Sequence, residues 1–520
     1  MIHFLLNHEL IELANVRADL TVLDWLRLHK QLTGTKEGCG SGDCGACTVV
    51  LVSASDTPSG LPLNYTPANA CILMVGALQG RQLITVEHLG SSENLHPVQA
   101  AMVEHHGSQC GFCTPGFVMS LFALFHQNFE ASELLRHTDQ RHALIEQYLG
   151  GNLCRCTGYR PIIAAAEQVL QNRFNQHVID SFDKSEADTA SRLHQLPKSE
   201  VTASTASSSV VGKSSSEQTI HVPTSLVEGL SLWSKFPNAH VLAGGTDKGL
   251  EITQQLTRWS SVIHLGDISE LRRIEHNEES LVVGAGVSIA ELLNTLSLDF
   301  PDVVPMLLRF GSEQVRSQAT VGGNLGTASP IGDLPPLLLA LGASITLVSL
   351  NASGERLNTR AVPVDEYFTS YRQTQRAENE WIESICIPLP SQHDVLRVYK
   401  ISKRLDDDIS SVCAAIWMHI DSLEKPSRIT NVRLGFGGMA AIPKRALNTE
   451  KALLEKALCA KTVEAACSSL TEDFQPISDA RASAQYRLRV AKNLLRRFSL
   501  EMESTAEPIH LAEYVLGAES

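Results

Sequence analysis

The feature that most restricts this 520-residue chain is where its cysteines stand: eight of twelve fall in two tight groups inside the first third. The first group is Cys39, Cys44, Cys47 and Cys71; the second is Cys110, Cys113, Cys154 and Cys156. Soft thiolates spaced this closely are placed to converge, because a metal site needs several donors aimed at one point. A chain built round two such sites is read as one that handles electrons.

In KEGCGSGDCGACTVVL, four residues separate Cys39 from Cys44, two separate Cys44 from Cys47, and Cys71 follows after a long excursion. That is the plant-type 2Fe–2S ligand spacing. Gly38, Gly40, Gly42 and Gly45 alternate with the ligands, so the backbone can wrap closely and aim N–H groups at sulfur. A zinc site or a disulfide knot is the competing reading. Disulfides suit small secreted domains, and a glycine-interleaved loop suits a cluster better than a zinc ribbon.

The second group joins a Cys-x2-Cys in QCGFCTPGF to a Cys-x-Cys in GNLCRCTGYRP. Neither pair specifies a metal by itself. The flanking stretches PGFVMSLFALFHQ and YRPIIAAAEQVLQNRF have apolar residues at helical spacing, with Pro115 and Pro161 where helices would begin. The thiolates would then sit at helix N-termini, whose partial positive charge favours an anionic cluster.

Both groups, in this order and in these local sequences, resemble the iron–sulfur subunits and domains of the molybdenum hydroxylases, the xanthine dehydrogenase family. The resemblance implies a ferredoxin-like β-grasp domain holding one 2Fe–2S cluster, and a four-helix domain holding another. Gln109, just before Cys110, resembles the family glutamine near the pterin of a molybdenum cofactor, although a lone Gln is more often ordinary surface.

Composition is that of a large soluble component. A chain of 520 residues accommodates about three or four domains. The net charge of −14 and pI near 5.8 make nucleic acid an improbable partner. The start, MIHFLLNHELIEL, reads as a β-hairpin and not a signal peptide. LPPLLLALGASITLVSL is the nearest approach to a membrane span and reads as a buried helix followed by a strand. Cytoplasm, where thiols stay reduced, is the expected location.

Strand patterns such as ACTVVLVSA dominate to about residue 85, with Asp24 and Trp25 in one intervening helix, and helices dominate to about residue 178. The Ser- and Thr-rich stretch up to residue 218 reads as a flexible linker. We therefore expect a multidomain α+β chain: a ferredoxin-like domain over 1–84, a helical 2Fe–2S domain over 85–178 and a linker over 179–218. A flavin domain follows over 219–392 and a C-terminal α+β domain over 395–513.

After the linker, a strand runs into the glycine turn Ala243, Gly244, Gly245, Thr246, Asp247, whose amides and hydroxyl could seat a pyrophosphate. Alone it is equally an ordinary Gly-Gly turn, lacking both the Walker and the Gly-x-Gly-x-x-Gly patterns. VVGAGVSIA at 282–290 imitates a dinucleotide fingerprint but reads as a strand end. The stretch GSEQVRSQATVGGNLGTASPIGDLPP, residues 311–336, is a long polar loop between apolar segments, and such loops are usually functional.

Together these two loops resemble the FAD-binding domain of the same family, of the PCMH type. Carried over residue by residue, the resemblance implies that Val241, Leu242, Ala243, Gly244, Gly245, Thr246, Asp247 and Lys248 cradle the pyrophosphate. Phe310, Thr320 and Asp333 would contact the flavin nucleotide, with Ile382 and Lys400 at further contact positions. From the residues alone, Lys400 could equally be a solvated lysine beside Asp406, Asp407 and Asp408, and Ile382 a strand core residue.

The last part alternates strands such as NVRLGFGGMA with Ala- and Leu-rich helices. It resembles the C-terminal domain of carbon monoxide dehydrogenase flavoproteins. Cys386, Cys413, Cys459 and Cys467 lack ligand spacing and read as core. The nineteen histidines show no His-x-x-x-His and no His/carboxylate cluster.

Nothing in the chain activates an organic substrate, so no catalytic residue is assigned within it. The resemblance implies two 2Fe–2S clusters and FAD here, with a molybdenum cofactor on a larger partner subunit and NAD⁺ as acceptor. Electrons would run from molybdenum through the Cys110 group, then the Cys39 group, to FAD and NAD⁺, as hypoxanthine and xanthine are oxidised to urate. The assembly would be a heterotetramer or larger, without membrane attachment. Alternatives are a subunit of another molybdenum hydroxylase acting on aldehydes or N-heterocycles, a stand-alone NAD(P)H:acceptor reductase, or a scaffold for cofactor insertion.

Overall fold

The computed structural model describes residues 1–55, 62–127, 138–175, 178–197, 201–205, 218–351, 353–422 and 427–503. The chain forms two compact units. One comprises Met1–Ser269 with Ser312–Ala319; the other comprises Glu270–Gly311 and the chain from Thr320 onward.

The first unit begins with a five-stranded mixed sheet. Its order is Glu9–Leu13, Ile2–Leu6, Gln82–Ile84, Thr48–Ala54, Leu63–Asn69. The opening hairpin turns at Asn7, which takes a left-handed φ of 57°, a conformation asparagine tolerates better than most residues. Gln82–Ile84 then lies parallel to the first strand, with Leu5 opposite Gln82. The run TVVLVSA is apolar without alternation because both faces of its strand are buried. Val49 and Leu51 enter one core with Phe4, Trp25 and Cys71, while Val50 and Val52 enter another with Phe117 and Phe122.

That second core belongs to the helices Pro97–Glu104, Thr114–Phe125, Thr138–Leu149 and Arg160–Asn175. Pro115 stands in the first turn of its helix, as expected of a residue whose missing N–H costs nothing there. A further sheet places Val201–Thr205, Gln218–Val222, Ser261–His264 and His240–Leu242 side by side. From it Ile220, Val222, Leu242 and Val262 join the first core.

The expectation of a flexible linker over 179–218 is corrected by two elements. Ser181–Gln195 is a helix, started by a capping box in which Asp180 and Asp183 satisfy each other's backbone N–H. Phe182, Ala190 and Leu193 bury one face of it. Val201–Thr205 is a strand. The helical periodicity of Ser181–Gln195 is diluted by charged and Ser residues on its exposed face, so composition hides it. Residues 198–200 and 206–217 of that expected linker lie outside the described residues, as do 504–513 of the expected last domain.

In the second unit an antiparallel sheet runs Ile274–His276, Ser280–Gly284, Trp381–Pro388, Ser344–Leu350, Leu357–Pro363. VVGAGVSIA is a strand end entering the capped helix Ile289–Asp299. The stretch 311–336, expected as a loop, is instead largely short helices: Glu313–Arg316, Val321–Thr327 and the start of Leu334–Leu341. Ser312 and Thr320 account for this, since their hydroxyls accept the N–H groups of Val315 and Gly323 and substitute for apolar periodicity as the helix signal. Only its segment Ser312–Ala319 belongs to the first unit.

A second sheet, Asp394–Ile401, Val412–Ile420, Ile429–Gly437 and Lys444–Arg445, packs on the helices Leu447–Leu453, Ala460–Asp473 and Ala484–Glu503. Cys467 is in that core and Cys413 is fully buried. No helix among the described residues is long and apolar enough to cross a membrane.

Candidate functional site

The loop ahead of strand Thr48–Ala54 gathers Cys39, Cys44 and Cys47, and Cys71 joins from just beyond strand Leu63–Asn69. Gly40, Gly42 and Gly45 take φ of 63°, 74° and 65°, which an L side chain resists. At Gly38 a Cβ would stand 2.7 Å from Cys44 Sγ. The freed amides point inward: Ser41 and Asp43 N–H lie 3.3 and 3.4 Å from Cys39 Sγ.

The four thiols contact one another in a chain from Cys44 through Cys39 and Cys71 to Cys47. Hydrogen bonds from Cys44 and Cys71 hold Cys39 well below the usual thiol range, whereas the same contact with Cys39 pushes Cys44 and Cys71 up. Four convergent sulfurs ringed by backbone N–H groups are the donor set an iron–sulfur cluster requires.

Cys110 and Cys113 lie immediately before helix Thr114–Phe125, and Cys154 and Cys156 before helix Arg160–Asn175. Cys156 Sγ is 3.5 Å from Cys110 Sγ, and Cys113 and Cys154 interact directly. Burial, followed by the Cys154 contact, pushes Cys113 up to about 12. Burial also opposes ionisation of Cys154, but Thr157 and the amides of Thr157 and Cys156 outweigh it and bring that thiol to about 7. This quartet also fits a cluster. Cys110, Cys156 and Gln109 are exposed, and so are the neighbouring Phe112, Leu153 and Tyr159.

The two cluster loops are joined directly. Leu153 N–H donates to Cys44 O at 3.0 Å, and Asn152 Nδ2 donates to Gly45 O at 3.1 Å. Gly45 must be glycine here, for a Cβ would meet Gly151 O at 2.4 Å.

The candidate flavin residues divide between the units. In the first, Val241 and Leu242 end a strand, and Ala243 to Lys248 turn into the short helix Gly249–Thr253, with Gly245 at φ 77°. A Cβ on Gly244 would lie 1.7 Å from Gln318 O, so this glycine answers to a close backbone approach. In the second unit Thr320 caps Val321–Thr327, and Ile382 is buried in its strand beside Gly326. Asp333 and Lys400 are brought together, Nζ 2.6 Å from Oδ2, and the same Nζ donates to the carbonyl of Arg309, the neighbour of half-buried Phe310. Lys400 is therefore not the solvated lysine that its Asp-rich surroundings allowed.

A buried acceptor in the VGGNLGTASPIGD segment supports the fit of a flavin nucleotide. Asn324 Oδ1 has no hydrogen-bond partner among the described residues, and a ligand hydroxyl or amide would satisfy it. Asn324 was not singled out from the sequence, where nothing but its place between glycines marks it.

The structure also corrects the absence of a His/carboxylate cluster. His96 and His126, both buried, place Nε2 at 2.6 and 2.9 Å from Asp180 Oδ2. These residues come from three helix ends far apart in sequence, which is why no motif shows them. His96 Nδ1 accepts the N–H of Val98, so its Nε2 carries the proton and donates to Asp180. A nitrogen so occupied offers no lone pair to a metal. The group is a hydrogen-bonded clamp between the helical domain and helix Ser181–Gln195.

Four family models match the chain in succession. Residues 8–75 match the family model of a 2Fe-2S iron-sulfur cluster binding domain and 85–167 that of a 2Fe-2S binding domain. Residues 214–390 match the FAD binding domain in molybdopterin dehydrogenase, and 397–502 the CO dehydrogenase flavoprotein C-terminal domain. Similar proteins include xanthine dehydrogenase of Emericella nidulans, 32% identical over 97% of this chain and 39% of that protein. Xanthine dehydrogenase of Dictyostelium discoideum is 28% identical over 98% of this chain and 41% of that protein. The chain thus spans about two fifths of the length of these relatives. Among solved structures, a carbon monoxide dehydrogenase from Hydrogenophaga pseudoflava lacking the Mo-pyranopterin moiety is 24% identical, covering 54% of this chain and 94% of that one at a TM-score of 0.49.

Proposed function

We propose, from the premise that this chain belongs to the molybdenum hydroxylase family, that it is the electron-transfer part of a xanthine dehydrogenase. The observation that carries the reading is the pair of thiol quartets whose loops are hydrogen-bonded to one another, in one chain with a flavin domain. When bound, the two 2Fe–2S clusters supply one-electron transfer and FAD supplies two-electron storage for hydride delivery to NAD⁺.

The chain's own residues hold and insulate these groups. Cys39, Cys44, Cys47 and Cys71 bind one cluster, with the amides of Ser41 and Asp43 directed at Cys39 sulfur. Cys110, Cys113, Cys154 and Cys156 bind the other. In the first unit residues 241–248 would orient a flavin pyrophosphate; in the second, Phe310, Thr320, Asp333, Ile382 and Lys400 are the proposed nucleotide contacts. The exposed Cys110 and Cys156, bordered by exposed Phe112, Leu153 and Tyr159, form the face that takes electrons from a larger molybdenum-bearing subunit, with Gln109 at its edge.

Hypoxanthine and xanthine are the proposed substrates of that partner and NAD⁺ the acceptor, in a heterotetramer or larger. The names of the similar proteins support this substrate over an aldehyde or another N-heterocycle. The eight grouped cysteines are thiols outside any disulfide, which suits the cytoplasm. The test is to isolate the chain from its native source and measure molybdenum, iron, flavin and xanthine-dependent NADH formation. A preparation with iron and flavin, but without molybdenum or a large partner, that turns over NADH with a dye would support the stand-alone reductase instead.

A further inference from the structure

The short segment Ser312–Ala319 belongs to the same compact unit as both cluster loops and the glycine turn. Its Gln314, 1% exposed, directs Nε2 to Asn152 Oδ1 and Ser120 Oγ at 3.0 Å each and to Thr48 Oγ1 at 3.3 Å. Each of these partners is tied to a cluster ligand. Thr48 follows Cys47, Ser120 lies on the helix that Cys113 begins, and Asn152 stands two residues before Cys154.

The amide orientation is fixed by the rest of the network. Asn152 must use Nδ2 on Gly45 O, which leaves its Oδ1 as an acceptor for Ser120 and Gln314. Gln314 must therefore present nitrogen, and its Oε1 is left buried without a partner among the described residues. A buried polar group kept at that cost argues for a positional task. Gly151 makes room for it: a Cβ there would meet Ser312 Cβ at 2.3 Å and Gln314 Oε1 at 2.4 Å.

The other end of the same segment touches the proposed flavin loop. Gln318 O is the atom that a Cβ on Gly244 would strike at 1.7 Å. Between the two ends, the N–H groups of Arg316, Gln318 and Ala319 bond back to Ser312 and Val315, so the segment is a stiff strut. We infer that Gln314 is a positioning residue through which occupancy of the flavin loop is transmitted to both iron–sulfur sites. This rests on the electron-relay reading above, and adds to it a mechanical linkage. By reciprocity, any change that flavin makes in the binding free energy of the clusters is matched by an equal change that the clusters make in that of flavin.

The experiment uses the full chain with its cofactors. Electron paramagnetic resonance spectra of the reduced clusters are recorded with FAD bound, with FAD stripped by a chaotropic salt, and after FAD is restored. In the unaltered protein, stripping is expected to shift or broaden the signals of both clusters, and restoration to reverse the change. In Gln314→Met, which keeps volume and loses the donors, the signals should resemble the stripped form and no longer respond to FAD. A response that survives unchanged in Gln314→Met, or spectra of the unaltered protein indifferent to FAD, overturns the inference. Should Gln314→Met fail to retain iron, Thr48→Val, which removes one of the three acceptors, is expected to weaken the response. A protein devoid of iron and flavin sinks the relay reading itself, whereas full cofactor content with unresponsive clusters sinks only the linkage.

Discussion

Lys400 Nζ stands 2.6 Å from Asp333 Oδ2, with the two side chains 2% and 8% exposed, and Ser410 Oγ donates to the other oxygen of the same carboxylate. Two residues expected to reach for one ligand are thus partners of each other. Removing one charge of a buried pair strands its partner at roughly 3–5 kcal/mol. Lys400→Met should lower unfolding free energy by about that much, and adding Asp333→Leu should recover a large part of it. Chemical denaturation of the single and double variants measures both; equal stabilities would contradict the pairing.

Gly244→Ala places a methyl carbon where Gln318 O already lies, 1.7 Å away. The turn must then shift, at roughly 1–3 kcal/mol for such overpacking. Flavin content per chain is expected to fall several-fold while iron content holds. Retention of full flavin would detach this turn from the nucleotide.

His264 ends its strand fully buried, with Nε2 against Gly76 and unpartnered among the described residues. Burial, and behind it the Arg81 charge, lowers its pKa to about 3. The unfolded chain takes up this proton near pH 6.5 and the folded chain does not. Stability from this group is therefore complete above that pH and is lost as pH falls toward 3. The loss is about 2 kcal/mol by pH 5. His264→Leu should flatten the melting profile between pH 7 and 5 relative to the unaltered chain; parallel profiles would refute the shift.

Asp180 is held well below the usual carboxylate range: burial opposes its charge, but the His126 and His96 hydrogen bonds prevail. A depressed carboxyl contributes stability above its ordinary pKa of about 4 and loses it as pH falls below. Asp180→Asn puts an amide before two N–H donors, at a cost of roughly 3 kcal/mol. Limited proteolysis should then cut within Ser181–Gln195 much faster, and unchanged protection would show that the clamp is dispensable.

Cys113→Ser removes one sulfur from the second quartet only. One of two cluster signals should vanish and the other persist, with about half the iron. Loss of neither, or of iron from both sites in equal part, would mean the thiols are grouped wrongly.

Much of the site was legible because its chemistry is local. Cysteine spacing with interleaved glycines marks a loop whose dihedrals and donors lie within a few residues of each other. The helices opened by Pro115 and Pro161 are just as local. The short helices of 311–336 were not legible, since side-chain caps at Ser312 and Thr320 nucleate them without apolar periodicity. Helix Ser181–Gln195 escaped notice because its charged face diluted the three or four residues that bury it.

By itself, then, the sequence determined which thiols stand together and where glycine is needed beside them, for these depend on covalent spacing and backbone freedom. Only the tertiary structure decided that Lys400 answers Asp333, that His96 and His126 share Asp180, and that Gln314 reaches Asn152 between the cluster loops. A hydrogen bond forms between groups about 3 Å apart whatever their separation along the chain, and no spacing rule records a meeting of that kind.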